Sequence, residues 1–429
     1  MMKWFYKLSL LIILALISCQ PKDEYGPKKV VVINVNGNYE LLVNNKPFFI
    51  KGAGIDKGSI EKLAEFGANS LRVWRTDNAR NVLDEAQKNG LLVMLGLDVQ
   101  RERHGFDYND TAAVNEQKTK IKEKILKYKD HPALLAWAIG NELNLGYTNP
   151  KVFDAANEIS LMIHELDKNH PTTTTLAGFN PDVVKEVKNR CPDLDFISIQ
   201  EYGSIITLPE QIKRAEWSGP YAITEWGATG HWEVSRTEWD IAIEQTSTEK
   251  AKTILQRWEK AVSRNRKQNL GSFAFVWGYK QERTPTWYGL LLESGEETEM
   301  TDVLYYVWNE KWPDNRSPSI DSIFIDGQSR YQNVYLKKGS EYKFQVYAHD
   351  KENDTLQMVV NILPDDPASY RSGGDYEERP EPVFSDTIDY SPEYIFKTPN
   401  KEGPYRIFAF ILDGNDNAAT GNVPFFIKE

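Results

Sequence analysis

Two short stretches carry an acid where chemistry can use it. Leu134 to Glu142 reads LLAWAIGNE, an apolar run, then Gly140, then the amide of Asn141 beside the carboxylate of Glu142. Tyr221 to Gly227 reads YAITEWG, a second short apolar run, and it carries Glu225. Such runs are strands buried on both faces, as in a parallel sheet. In a closed barrel of such strands, groups at the carboxyl ends face the working side. Two carboxyl groups about 5 to 5.5 Å apart across a cleft can break a glycosidic bond with retention. One protonates the leaving oxygen and then activates water, while the other attacks the anomeric carbon. Glu142 is the expected acid/base, because the neighbouring Asn141 can hydrogen-bond a sugar 2-hydroxyl, and Glu225 is the expected nucleophile. The acid must hold its proton near neutral pH, so Glu142 should have a raised pKa while Glu225 stays ionised. Trp277, ending the run Gly271 to Trp277, is placed to stack on a sugar ring.

These groups need a scaffold, and the flanking sequence supplies a repeating strand–helix pattern. Strands are expected at Phe48 to Ile50, Asn69 to Trp74, Leu91 to Leu97, LLAWAIGNE, Thr173 to Ala177, Leu194 to Gln200, YAITEWG and Gly271 to Trp277. Ser59 caps a first helix that Gly67 ends, and Gly90 closes a second over Ala79 to Asn89. Further helices are expected over Thr111 to Lys129, Val152 to Lys168, from Pro181, over Pro209 to Glu216, Thr248 to Arg264 and Thr301 to Trp308. Eight such units in roughly 260 residues predict an α/β fold, a (β/α)8 TIM barrel. A hairpin, Val30 to Val35 and Tyr39 to Val43 around Asn36-Gly37, precedes it. Gly230 to Gln245, with Trp232 and Trp239, falls in a loop on the working side.

The barrel domain should span residues 30–312 and a polar linker 313–318. Beyond it, period-two segments at Ile320 to Ile325, Tyr342 to Ala348, Leu356 to Ile362, Tyr405 to Leu412 and Asn422 to Ile427 predict a smaller all-β immunoglobulin-like sandwich over 319–429. Every Trp lies at or before Trp312. The sandwich lacks the indole platforms of a dedicated sugar-binding module, so a structural or spacer role is expected for it.

A chain of 429 residues with 41% hydrophobic and 12% aromatic residues can build a sizeable core. The net charge of −11 and the lack of a basic stripe argue against nucleic acid as partner. Cys19 and Cys191 are the only cysteines, which leaves no disulfide framework. Residues 1–19 read as a signal peptide, with Lys3 and Lys7 before an apolar run too short to span a bilayer comfortably. Leu16-Ile17-Ser18-Cys19 resembles a bacterial lipobox, which implies cleavage before Cys19 and acylation of its sulfur. Lys22-Asp23-Glu24 resembles the lipoprotein export signal of Bacteroidetes. The expectation is a lipid-anchored protein on the outer face of the outer membrane, with residues 20–29 as a tether.

The motif G-x-N-x-x-R (Gly67, Asn69, Arg72), W-x-x-G-N-E ending at Glu142 and I-T-E-x-G around Glu225 resemble the clan A retaining glycoside hydrolases, which include families 2 and 5. The resemblance covers roughly residues 38–312. It implies acid/base Glu142, nucleophile Glu225, Asn141 on the 2-hydroxyl, Arg72 and Tyr202 holding the nucleophile, and Trp277 as platform. The sequence carries no long N-terminal sandwich domains of the family 2 kind. A barrel followed directly by an immunoglobulin-like domain on a lipoprotein is more similar to family 158, endo-acting β-1,3-glucanases of gut bacteria. That likeness implies a β-glucan substrate and no cofactor, and a monomer is expected. The rivals are the same chemistry on β-mannan, β-1,4-glucan or a galactoside, transglycosylation through the same intermediate, and a catalytically silent glycan-binding lipoprotein.

Other residues keep two readings. Trp74 is a sugar platform or core. His104 and His231, in working-side loops, could bind substrate hydroxyls, whereas His131 before Pro132 reads as a structural cap and Cys191 as a buried thiol. Asp350, Asn353 and Asp354 with Asp413, Asn415 and Asp416 could hold calcium, but they read more readily as turn residues, and no metal is expected.

Overall fold

The structure, a computed structural model, describes residues 26–371 and 373–429. The expected signal peptide, Cys19 and the first part of the tether lie outside the described residues.

Eight parallel strands close into a barrel: β1 (Ile50–Ile55), β2 (Ser70–Val73), β3 (Leu92–Leu97), β4 (Leu134–Ile139), β5 (Thr172–Ala177), β6 (Phe196–Gln200), β7 (Tyr221–Gly227) and β8 (Asn269–Trp277). Their order around the ring is the chain order, with β8 pairing back onto β1. The outer helices are α1 (Ile60–Glu65), α2 (Ala79–Lys88), α3 (Thr111–Tyr128), α4 (Lys151–Leu166), α5 (Pro181–Arg190), α6 (Leu208–Arg214), α7 (Ser247–Arg257) and α8 (Glu299–Asn309). Local signals set their starts. Ser59, Asp110 and Asn180 cap α1, α3 and α5 through their side chains, and Thr246 with Glu249 forms a capping box on α7. Each such cap stabilises its helix by about 1 kcal/mol. After α7 a π-helical turn, Trp258–Val262, takes up residues that the sequence assigns to a plain α-helix.

The first strand is a correction. Phe48 and Phe49 were expected to open it, yet β1 runs through the glycine-rich KGAG stretch. Only glycine fits at positions 52 and 54. A Cβ on Gly52 would stand 2.4 Å from the Ser70 carbonyl oxygen, and one on Gly54 would stand 2.6 Å from the Trp74 ring. The N-terminal hairpin, Val30–Val35 with Asn38–Val43, packs Val30 and Leu41 against Ile50, Leu92 and Leu270 in one buried cluster.

The sandwich packs a sheet built on Ser319–Ile325, Glu341–His349 and Glu393–Lys397 against one built on Asn417–Lys428, Gly403–Leu412, Gln357–Pro364 and Phe384–Asp389. Val334–Lys337 runs parallel to the last strand, and alternate side chains such as Phe344, Val360, Ile407 and Val423 fill the space between the sheets. The two domains share backbone pairing, since Glu297–Thr298, just before α8, pairs in parallel with Asn417–Ala418. The linker is pinned: Asp302 on α8 pairs with Arg316 at 3.1 Å and accepts the Ser317 backbone N–H. Arg406, fully buried, donates to Asp365, to Asn422 and to the Ala242 carbonyl across the interface. Among the described residues no helix is long and apolar enough to cross a membrane.

Candidate active site

A cavity of about 1290 Å³ opens at the carboxyl ends of the barrel strands and holds both Glu142 and Glu225. Each strand delivers its acid by leaving regular geometry. β4 is followed by Gly140 with φ of 72°, and Glu142 itself takes the left-handed region with φ of 51°. That conformation costs a non-glycine residue about 1 kcal/mol, a strain that collects at functional sites. The Glu142 N–H donates to the Thr175 carbonyl and hydroxyl oxygens on β5, both at 3.1 Å, and these bonds hold the turn. On β7 the register against β6 slips between Ile223 and Glu225, a bulge that re-aims the side chain.

Three donors converge on Glu225. Arg72 Nη1 (2.9 Å) and Trp74 Nε1 (2.7 Å) donate to Oε1, and the Tyr202 hydroxyl donates to Oε2 at 2.9 Å. Burial, reinforced by the Glu225 charge, pushes the Tyr202 hydroxyl well above its ordinary pKa, so it keeps its proton and donates. The Trp74 indole lines the cavity and commits its N–H to Glu225, so it is more than plain core.

Asn141 is oriented by its neighbours. Its Oδ1 accepts from Arg72 Nη2 (2.6 Å), Gln200 Nε2 (2.7 Å) and Thr175 Oγ1 (3.2 Å). With its oxygen so occupied, the side chain turns its Nδ2 donors to the cavity that it lines. Arg72 therefore ties the Asn141 corner of β4 to the Glu225 corner of β7.

Glu142 is treated differently. Among the described residues no donor reaches its carboxyl group. Burial, then the charge of Glu225, pushes its pKa up to about 8, against the pull of Arg101, Arg72 and Arg103.

Trp277 is a correction. It is fully buried, donates its indole N–H to the Ser59 carbonyl at 2.9 Å, and packs edge-on against Phe66 at 5.2 Å between centroids. The ladder with β1 slips between Ala274 and Trp277, which sends Trp277 to the helix layer and leaves Phe275 lining the cavity. Phe275 joins Tyr202, Tyr288 and Trp74 in an edge-to-face cluster. His231 lines the cavity 3.5 Å from Glu282, and His104 stands at its rim with Nε2 3.4 Å from Asp375. His131 bridges Asp84 on α2 and the Ala133 N–H, and the buried Cys191 thiol donates to the Phe153 carbonyl.

The sequence reading missed several groups. Gln200 carried a signal of the same kind as Glu142, a polar residue ending a buried strand. Phe275 and Tyr288 carried none. The role assigned to the sandwich also needs correcting, because its residues 373–377 line the cavity. In the sandwich, Asp350, Asp354 and Asp413 bring carboxylate oxygens within 4.8 Å of one another. Asp413 accepts the backbone N–H groups of Asn415 and Asn417 and the side-chain amides of Asn315 and Asn417, so it closes its turn.

Residues 33–286 match the model of the glycosyl hydrolases family 2 TIM barrel domain, more than half of the chain. The chain belongs to that family. No curated protein matches it. Among solved structures, the family 2 barrel is similar to a β-glucuronidase of Faecalibacterium prausnitzii, with 17% identity, a TM-score of 0.53, 66% of this chain and 52% of that one covered. The β-glucuronidase of Ruminococcus gnavus gives 16%, 0.50, 67% and 54%. A calcium-binding mutant of Bacteroides uniformis β-glucuronidase 2 gives 13% and 0.51, with 93% of this chain and 48% of that one covered. At these identities the likeness is one of fold. The chain spans about half the length of these structures.

Proposed function

We propose that this family 2 barrel is a retaining β-glycosidase that cuts within β-glucan chains, with β-1,3-glucan as its substrate. The observation that carries the chemistry is the unequal treatment of two carboxyl groups in one cavity: among the described residues three donors reach Glu225 and none reaches Glu142. Glu225, held in place, attacks the anomeric carbon while Glu142 gives its proton to the departing glycosidic oxygen. Glu142, now a carboxylate, takes a proton from water, and that water displaces Glu225 from the same carbon. Asn141 offers its amide N–H groups to the 2-hydroxyl, a contact that strengthens in the transition state. His104 and His231 are candidate hydroxyl contacts. No step calls for a cofactor.

A neutral glucan is favoured by the pairing of most cations near the cavity mouth: Arg103 with Asp375, Lys280 with Glu282 and Arg283 with Glu377, for which a sugar carboxylate would have to compete. Lys57 also lines the cavity and has no ion pair among the described residues, so the glucuronide stays in the test. Domain order, barrel then sandwich, supports the likeness to family 158.

Product sizing on laminarin, cellulose oligosaccharides, β-mannan and p-nitrophenyl β-glucuronide tests this. Laminari-oligosaccharides as first products support it. Monosaccharide alone means an exo-enzyme, and cleavage confined to the glucuronide overturns the glucan assignment. The sequence further supports a monomer anchored through acylated Cys19 at the cell surface. Radiolabelled palmitate incorporation lost in Cys19→Ala, and protease sensitivity on whole cells, check that.

A further inference from the structure

The segment joining Gln357–Pro364 to Phe384–Asp389 belongs to the sandwich, yet it crosses to the barrel and is gripped there on both sides. Asp375 accepts from Arg103 Nη1 and Nη2 at 3.1 and 3.2 Å, and His104 stands 3.4 Å away. Glu377, buried, accepts the Arg283 N–H at 2.6 Å and the Arg371 N–H at 2.8 Å, and pairs with the Arg283 guanidinium. The Gly374 carbonyl accepts from Lys280 at 3.1 Å. Gly373, with φ of 61°, lets the chain lie against Arg103, where a Cβ would stand 2.9 Å from Nη1.

Between these two anchors stands Tyr376, 84% exposed and lining the cavity. Its neighbours on either side are tied to the barrel, and its own side chain is left open to solvent at the cavity. An aromatic ring offers an apolar face that the C–H face of a sugar can cover while the sugar hydroxyls stay hydrated. Anchoring the loop on both sides of Tyr376 in advance lowers the cost of ordering it on binding.

We propose that the sandwich completes the glycan cleft, with Tyr376 as the stacking platform for a sugar unit beyond the bond being cut and Asp375 and Glu377 as the residues that position it. The site extends the proposed glycosidase reading and takes a neutral β-linked oligosaccharide.

Calorimetry on the full chain carrying Glu225→Gln, with β-1,3-gluco-, β-1,4-gluco- and β-1,4-manno-hexasaccharide as probes, tests the platform without turnover. Tyr376→Ala is expected to weaken the best of the three about tenfold, and Tyr376→Phe, which keeps the ring, to stay within about twofold of the parent. Asp375→Ala, which frees the loop, should weaken it several-fold. Equal binding by Tyr376→Ala and the parent overturns the platform, and so does a parent that binds none of the three. Hydrolysis of an aryl β-glycoside by the chain with native Glu225 tests the glycosidase reading by itself. A chain that hydrolyses it while the Tyr376 variants bind alike loses the platform and keeps the reading. One that binds through Tyr376 but hydrolyses nothing keeps the platform and loses the reading.

Discussion

The ends of β4 and β7 face the same cavity and treat the same side chain in opposite ways. At β7 a bulge turns Glu225 into a ring of donors: Arg72 on β2, Trp74 just after it, and Tyr202 two residues past β6, so its two oxygens are fixed. At β4 a left-handed turn sets Glu142 at the cavity wall with no donor among the described residues, and burial raises its pKa. The lesson is that role follows environment. Donors aimed at a carboxylate fix an oxygen for attack, whereas an unsupported, desolvated carboxyl holds a proton that it can give away.

Removing the fixed acid should have the largest effect. Glu225→Ala is expected to lower kcat by roughly 10⁴-fold or more, since the covalent intermediate cannot form. Azide, entering from the vacated side, should then yield the α-glycosyl azide. Glu142→Ala should cost roughly 10²- to 10⁴-fold on the proposed glucan substrate. It should cost far less on aryl glycosides whose leaving group departs without a proton, and azide should give the β-product. Identical azide stereochemistry in both variants, read by NMR, would erase the assigned difference.

The donors come next. Trp74→Phe and Tyr202→Phe each remove one hydrogen bond to a carboxylate, about 1.5–3 kcal/mol, or roughly 10- to 100-fold in kcat. Neither should shift KM much. An effect on KM alone would mean that these residues touch sugar instead of Glu225.

The pH behaviour probes the other side of the comparison. Glu142 is protonated below its raised pKa, so kcat/KM should fall as pH rises through about 8. In Glu142→Gln that limb should vanish. Stability follows the same linkage. Because the folded state holds the Glu142 proton more tightly than the unfolded chain, stability is lost as pH climbs from the ordinary carboxyl range through about 8. Glu142→Gln should therefore raise Tm at pH 9 by more than at pH 5, by a few degrees. Equal shifts at the two pH values would place the carboxyl in a wetter site than the structure shows.

Much of the scaffold could be read from the chain because each barrel element announces itself locally. The all-apolar runs of β3 and β4, the largely apolar β7, the caps Ser59 and Asn180, and the switch to period two after the linker all sit within a few residues of what they specify. β1 escaped because its glycines answer to neighbours on β2, which a propensity scale cannot see. Trp277 escaped because a register slip against a strand more than two hundred positions away decides which side of the sheet it faces. Arg72, Asn141 and Tyr202 were marked by motif and position, and the structure sets them around the two acids. The partner of Asp375 could not be inferred at all, since Arg103 lies 272 positions earlier in another domain.

The sequence by itself determined the barrel, the sandwich, and the two acids at strand ends, because periodicity and strand-end chemistry are local properties of a chain. Only the tertiary structure decided which acid is gripped and which is bare, that Trp74 serves Glu225, and that a loop of the sandwich lies in the cleft. Hydrogen-bond partners, desolvation and register are set by atoms brought together from distant parts of the chain, and no local pattern encodes that meeting.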